Sequence, residues 1–67
     1  MTMFKVRPTN EQLNNLWARI QQTGLQIKYK KERDGLVMLV LENLPHAHML
    51  RDILHSEGIR VLYDSAV

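Results

Sequence analysis

The chain contains no cysteine in 67 residues, which removes disulfides, thiolate metal sites and cysteine nucleophiles together. Glycine is scarce as well. Gly24, Gly35 and Gly58 stand singly, so there is no glycine-rich loop of the kind that cradles phosphates. Long apolar runs are missing: the longest is Leu36–Leu41, far short of the ~20 residues that a membrane-spanning helix needs. Met1-Thr2-Met3-Phe4-Lys5 holds no apolar stretch of signal-peptide length. The expectation is a soluble, cytoplasmic protein with no membrane partner, since a cysteine-free chain fits a reducing compartment.

Aromatic residues make up only 6% of the chain, and the net charge is +2. So small an excess makes the distribution of charge more informative than its sum. The hydrophobic content of 45% is that of a folded domain rather than a disordered one. A chain of this length buries roughly 60% of the surface that its unfolded state exposes. The expectation is a single small domain spanning residues 1–67, in which packing or association must supply what no staple can.

Thr2–Arg7 alternates, with Thr2, Phe4 and Val6 opposed to Met3, Lys5 and Arg7, and reads as a short strand that Pro8 ends. Leu13, Leu16, Trp17 and Ile20 then recur at the spacing of one helical stripe. Thr9 and Gln12 form a capping-box pattern and Gly24 suits the residue just past the end, which predicts a helix over residues 10–23. Residues 25–32 alternate again, with Leu25, Ile27 and Tyr29 opposed to Gln26, Lys28 and Lys30. Leu36–Leu41, apolar at every position, reads as a central strand.

Pro45 favours a helix start, and Met49, Leu50, Ile53 and Leu54 supply the stripe of a second helix, residues 46–57, stopped by Gly58. A last strand, residues 59–63, opposes Ile59, Val61 and Tyr63 to Arg60 and Leu62. The expected fold class is therefore α+β. It is a two-layer β-α-β-β-α-β sandwich in which both helices cover one face of a four-stranded antiparallel sheet. Strand order 4-1-3-2, the ferredoxin-like arrangement, satisfies those constraints.

Which faces pair in the hairpin depends on its turn, because a one-residue slip exchanges them. A two-residue Asp34-Gly35 loop pairs Tyr29 with Val40 and Lys30 with Leu39. A three-residue Arg33-Asp34-Gly35 loop pairs Tyr29 with Leu39 and Ile27 with Leu41. The three-residue loop is preferred, since it gathers the bulky apolar residues under the helices. The uncovered face then carries Met3, Lys5, Arg7, Gln26, Lys28, Lys30, Met38, Val40, Glu42, Arg60 and Leu62. An apolar strip of Met3, Met38, Val40 and Leu62, fringed by Lys5, Arg7, Lys28, Lys30 and Arg60, has the character of a contact surface.

Catalytic chemistry finds little footing. The carboxylates Glu11, Glu32, Asp34, Glu42, Asp52, Glu57 and Asp64 are scattered at turns and ends, without an evident acid/base pair. Ser56 beside His55 is no triad, because neighbouring residues on a helix point apart. His48 and His55 lie two turns apart, about 10 Å along the axis, too far to share one metal ion. His46, on the apolar side of the first turn, reads as a structural histidine, and Trp17 as core.

The expectation is a non-catalytic interaction module, with no cofactor, no metal and no small-molecule substrate. It would use its cationic face to pair with a second copy as a homodimer or to dock on an acidic protein. The alternative is a nucleic-acid-binding protein blind to sequence, contacting phosphates through the same basic face. In that alternative the bases find no aromatic platform, because residues 35–41 contain no aromatic and Phe4 points inward.

Overall fold

In the computed structural model, which describes residues 1–65, six elements follow one another. They are β1 (Thr2–Arg7), α1 (Asn10–Thr23), β2 (Tyr29–Arg33), β3 (Leu36–Leu41), α2 (Leu44–Ser56) and β4 (Arg60–Asp64). Each helix starts where a side chain can satisfy its orphan amides. The Thr9 hydroxyl accepts the Gln12 N–H at 3.2 Å while the Gln12 side chain accepts the Thr9 N–H at 2.9 Å. Asn43 caps α2 by accepting the His46 N–H at 3.0 Å, so that helix begins at Leu44, ahead of the residue 46 expected from Pro45. α1 stops at Gly24, whose φ of +68° is the left-handed value that ends helices.

The four strands form one antiparallel sheet in the order β2-β3-β1-β4. Between the central strands, Phe4 pairs with Leu39 and Val6 with Val37. All four side chains are buried and join Leu41, Leu16, Ala47, Leu50, Ile53 and Leu54 in one apolar cluster. Burying each such Leu or Phe contributes about 1.5–3 kcal/mol before entropy is counted. Leu13, Trp17 and Ile20 are only half-buried against this cluster. Trp17, expected as core, packs against it with only part of its surface, and the Lys30 ammonium lies 4.5 Å from its ring centre. Met49, expected on the α2 stripe, is exposed, and Ala47 is buried in its place.

Polar contacts lock the helix ends. Gln12 donates from its side-chain amide to the carbonyls of Glu57 and Gly58, at 3.3 and 3.2 Å, tying the start of α1 to the end of α2. Arg19 meets Glu57 at 3.3 Å. Arg51 of α2 donates twice to the Asp64 carboxylate, at 2.7 and 3.1 Å, and its guanidinium lies 5.4 Å from the Phe4 ring centre. The hydrogen bonding to Asp64 raises the Arg51 pKa above its ordinary value. Among the described residues, no helix is long and apolar enough to cross a membrane.

Two features of the sheet depart from the sequence expectation. First, the hairpin between β2 and β3 turns on two residues rather than three. Asp34 and Gly35 have φ of +52° and +79°, the doubly positive pattern of a type I′ turn, whose twist matches that of the strands it joins. The pairs are therefore Tyr29–Val40, Lys30–Leu39, Lys31–Met38, Glu32–Val37 and Arg33–Leu36. Leu25 and Ile27 still pack on the core, but from the segment before the strand. Second, β1 and β4 change register between Lys5 and Val6: Lys5 pairs with Tyr63, whereas Val6 pairs with Val61. Such a bulge exchanges the faces of the strand beyond it.

Candidate functional site

Side chains alternate across a strand, so the buried set Phe4, Val6, Val37 and Leu39 defines which residues project from the outer surface. From β1 these are Met3, Lys5 and Arg7, and from β3 they are Leu36, Met38 and Val40. The hairpin register adds Tyr29, Lys31 and Arg33. Beyond the bulge, β4 adds Tyr63 opposite Lys5, and Arg60 stands opposite Arg7. The surface thus carries Lys5, Arg7, Lys31, Arg33 and Arg60, and no carboxylate at any of these strand positions. The strand acids go the other way: Glu32 pairs with Val37 and Asp64 with Phe4, both on the core side.

The residues expected at a contact surface are redistributed accordingly. Met3, Lys5, Arg7, Met38, Val40 and Arg60 share the outer surface. Lys30 does not: it pairs with Leu39 and reaches Trp17 of α1, because the two-residue turn reverses β2. Lys28 precedes the strand, where its N–H donates to the Val40 carbonyl at 2.9 Å, and its ammonium meets Glu42 at 2.6 Å. That hydrogen bond and the lysine charge hold the Glu42 carboxyl below its ordinary pKa. Leu62 falls at the bulge and borders a groove shared with Arg51 and His55 of α2. Val40 is only 7% exposed, and Met3 and Met38 are half-buried. The apolar strip is narrower and more sheathed than the sequence implies.

Tyr29, Lys31, Arg33 and Tyr63 join this surface against expectation, and Leu36 lies on it with Met38 and Val40 by the alternation of β3. Both tyrosines are 49% exposed, one on each edge strand of the sheet. The signal for the three residues of β2 was the Asp34-Gly35 pair, a strong mark of a two-residue hairpin. Nothing in the residues of β4 marks its bulge, so Tyr63 was not accessible in that way.

The outer cations are largely unneutralised among the described residues. Among the described residues, the ion pairs are Arg19–Glu57, Lys28–Glu42, Arg33–Asp34 and Arg51–Asp64. Of the five outer cations only Arg33 takes part, at 3.9 Å with both side chains largely exposed, where solvent leaves little attraction. Arg7 donates to the Asp34 carbonyl at 3.2 Å, which pins the hairpin turn without cancelling charge. The Lys5 ammonium lies 5.8 Å from the centre of the Tyr63 ring. A shallow hollow of about 210 Å³ opens between Lys5, Lys31, Arg33, Leu36 and Met38.

The histidines do structural work where they bond at all. The His46 ring accepts the Gln26 N–H at 3.2 Å, and the His48 ring lies 3.0 Å from the Arg51 guanidinium. Among the described residues, no three His, Cys, Asp or Glu side chains come together where a metal ion could sit. In comparisons with known proteins, the chain matches no family model, no curated protein and no solved structure.

Proposed function

We propose that this chain is a non-catalytic binding module that docks an acidic macromolecule on the outer surface of its sheet. The observation that carries the reading is the segregation of charge: Lys5, Arg7, Lys31, Arg33 and Arg60 project there, with no carboxylate at the same strand positions. Elsewhere carboxylates neutralise Arg19, Lys28 and Arg51, whereas among the described residues only Arg33 of the five outer cations meets an acid, exposed and at 3.9 Å. A surface of one sign steers and orients a partner of the opposite sign.

The scaffold under it reads as a two-layer sandwich of ferredoxin-like order, with both helices on the core side. Support comes from the strand order and from the one cluster that joins Leu16 of α1 and Leu50 of α2 to Phe4 and Leu39. That arrangement leaves the opposite surface free for a partner. A reducing, cytoplasmic setting suits a chain with no cysteine. Face-to-face pairing of two copies through this surface is disfavoured by the same charges, because a two-fold axis would set the cations of one copy against those of the other.

Three polyanions of different chemistry serve as probes: polyglutamate, a heparin oligosaccharide and a twenty-nucleotide oligothymidylate. Fluorescence anisotropy at low salt is expected to show binding that weakens as salt rises and is lost in Lys31→Glu/Arg33→Glu. No binding to any of the three, or binding undiminished in that variant, removes this surface as the docking site.

A further inference from the structure

Charge alone does not distinguish one acidic partner from another, but the two tyrosines do. Resting on the reading above, we infer that the partner is single-stranded nucleic acid, whose bases stack on Tyr29 and Tyr63 while Lys5, Arg7, Lys31, Arg33 and Arg60 meet its phosphates. Both rings are half-exposed and both stand on the surface that bears the cations. Acidic proteins present carboxylates but few flat apolar faces. Unpaired nucleic acid presents alternating phosphates and planar bases, and exposed aromatic side chains beside a basic track suit that alternation.

The spacing fits several nucleotides rather than one. Tyr29 lies on β2 and Tyr63 on β4, at opposite edges of the sheet, three strand spacings (about 14 Å) apart across it and two residues (about 7 Å) apart along it. No single base touches both, so the two rings hold different bases of one strand. Between them run Met38 and Met3, half-buried, beside Lys5 and Lys31. A soft apolar floor with cations alongside suits a chain of bases crossing the strands. A duplex fits poorly, because its bases are already stacked on one another and a flat sheet cannot reach between them.

Lys5 is placed to serve both parts. Its ammonium now rests over Tyr63, an exposed cation–π contact of the weak kind. Moving aside for a base releases the ammonium on its flexible stem to a phosphate nearby. Nothing in the surface reads base edges in a fixed geometry, so the preference is for single strands as such, without a sequence.

The test measures anisotropy of labelled oligothymidylate, oligouridylate, a duplex of equal length and polyglutamate against the native chain and the variants Tyr29→Thr and Tyr63→Thr. Threonine keeps a strand-forming side chain and removes the ring. Expected is a preference for both single strands over duplex and polyglutamate, with each substitution weakening single-strand binding by roughly 5- to 150-fold and leaving polyglutamate binding unchanged. The logarithm of affinity against the logarithm of salt should fall with a slope of up to about −3.5, from ~0.7 for each of the cations. Single-strand binding equal to that of duplex or polyglutamate, or insensitive to both tyrosine variants, overturns the stacking and leaves an acidic protein as the partner of the same surface. Binding of none of the probes by the native chain overturns both readings together.

Discussion

Replacing Gly35 with alanine should weaken the fold by a modest and calculable amount. The residue has φ of +79°, where an L side chain costs about 1–2 kcal/mol because its Cβ crowds the adjoining carbonyl. Crowding from elsewhere adds nothing, since a Cβ built there would meet only the Arg7 guanidinium, at an ordinary 3.5 Å. The stiffer unfolded chain of the variant recovers part of the loss, about 0.4 kcal/mol or more, leaving a net of about 1 kcal/mol. For a domain of this size each kcal/mol moves Tm by about 4–8 °C, so thermal unfolding followed by circular dichroism should show a drop in that range. Total stability of about 3–10 kcal/mol, from 0.05–0.15 kcal/mol per residue, leaves the variant folded. Cross-strand nuclear Overhauser contacts should still pair Tyr29 with Val40 and Lys31 with Met38. An unchanged or higher Tm would mean that Gly35 is not left-handed. Contacts between Tyr29 and Leu39 in the native chain would mean the three-residue turn, and would take Lys31 and Arg33 off the cationic surface.

Arg51→Met removes both hydrogen bonds to Asp64, whose side chain is only 10% exposed. It should cost about 1–3 kcal/mol in urea unfolding, with part regained in Arg51→Met/Asp64→Leu, where no carboxylate is left to desolvate; a single variant within 0.5 kcal/mol of the native chain would show the pair to be idle. The Glu42 carboxyl, held below its usual pKa by the Lys28 hydrogen bond, stabilises the fold above the ordinary glutamate range and ceases to do so as the pH falls through the lowered value. Unfolding curves of the native chain and Glu42→Gln should therefore differ at neutral pH, converge in acid, and converge also in high salt; curves that stay parallel down to pH 2 would refute the assignment.

Much of the architecture was legible because each element carries its own period. Leu16 and its neighbours spell a helix, Phe4 and Val6 spell a strand with one buried side, and Thr9 with Gln12 marks a start that appears where expected. The hairpin register was harder. Leu36–Leu41 is apolar throughout, so it fits the core with either face, and the decision fell to its partner. There the alternation of Leu25, Ile27 and Tyr29 misled, because the strand begins only at Tyr29. Leu25 and Ile27 pack on the core from a connecting segment whose path carries no parity into the strand. The Asp34-Gly35 turn outweighed that pattern, since its backbone twist, not side-chain bulk, sets the pairing. One reversed strand was enough to exchange Lys30 for Tyr29, Lys31 and Arg33 on the surface of interest.

β2 also bears on how the molecule behaves in a crowded solution. Tyr29–Arg33 is an outer strand with every residue exposed, and a bare row of amides and carbonyls invites another chain to add itself as the next rung. Here the row is lined by Lys30, Lys31, Glu32 and Arg33, so an incoming strand would have to strip water from four ions. On the opposite flank the irregular step in β4 denies a straight template. Both margins of the layer are thus built against the lateral addition of another strand.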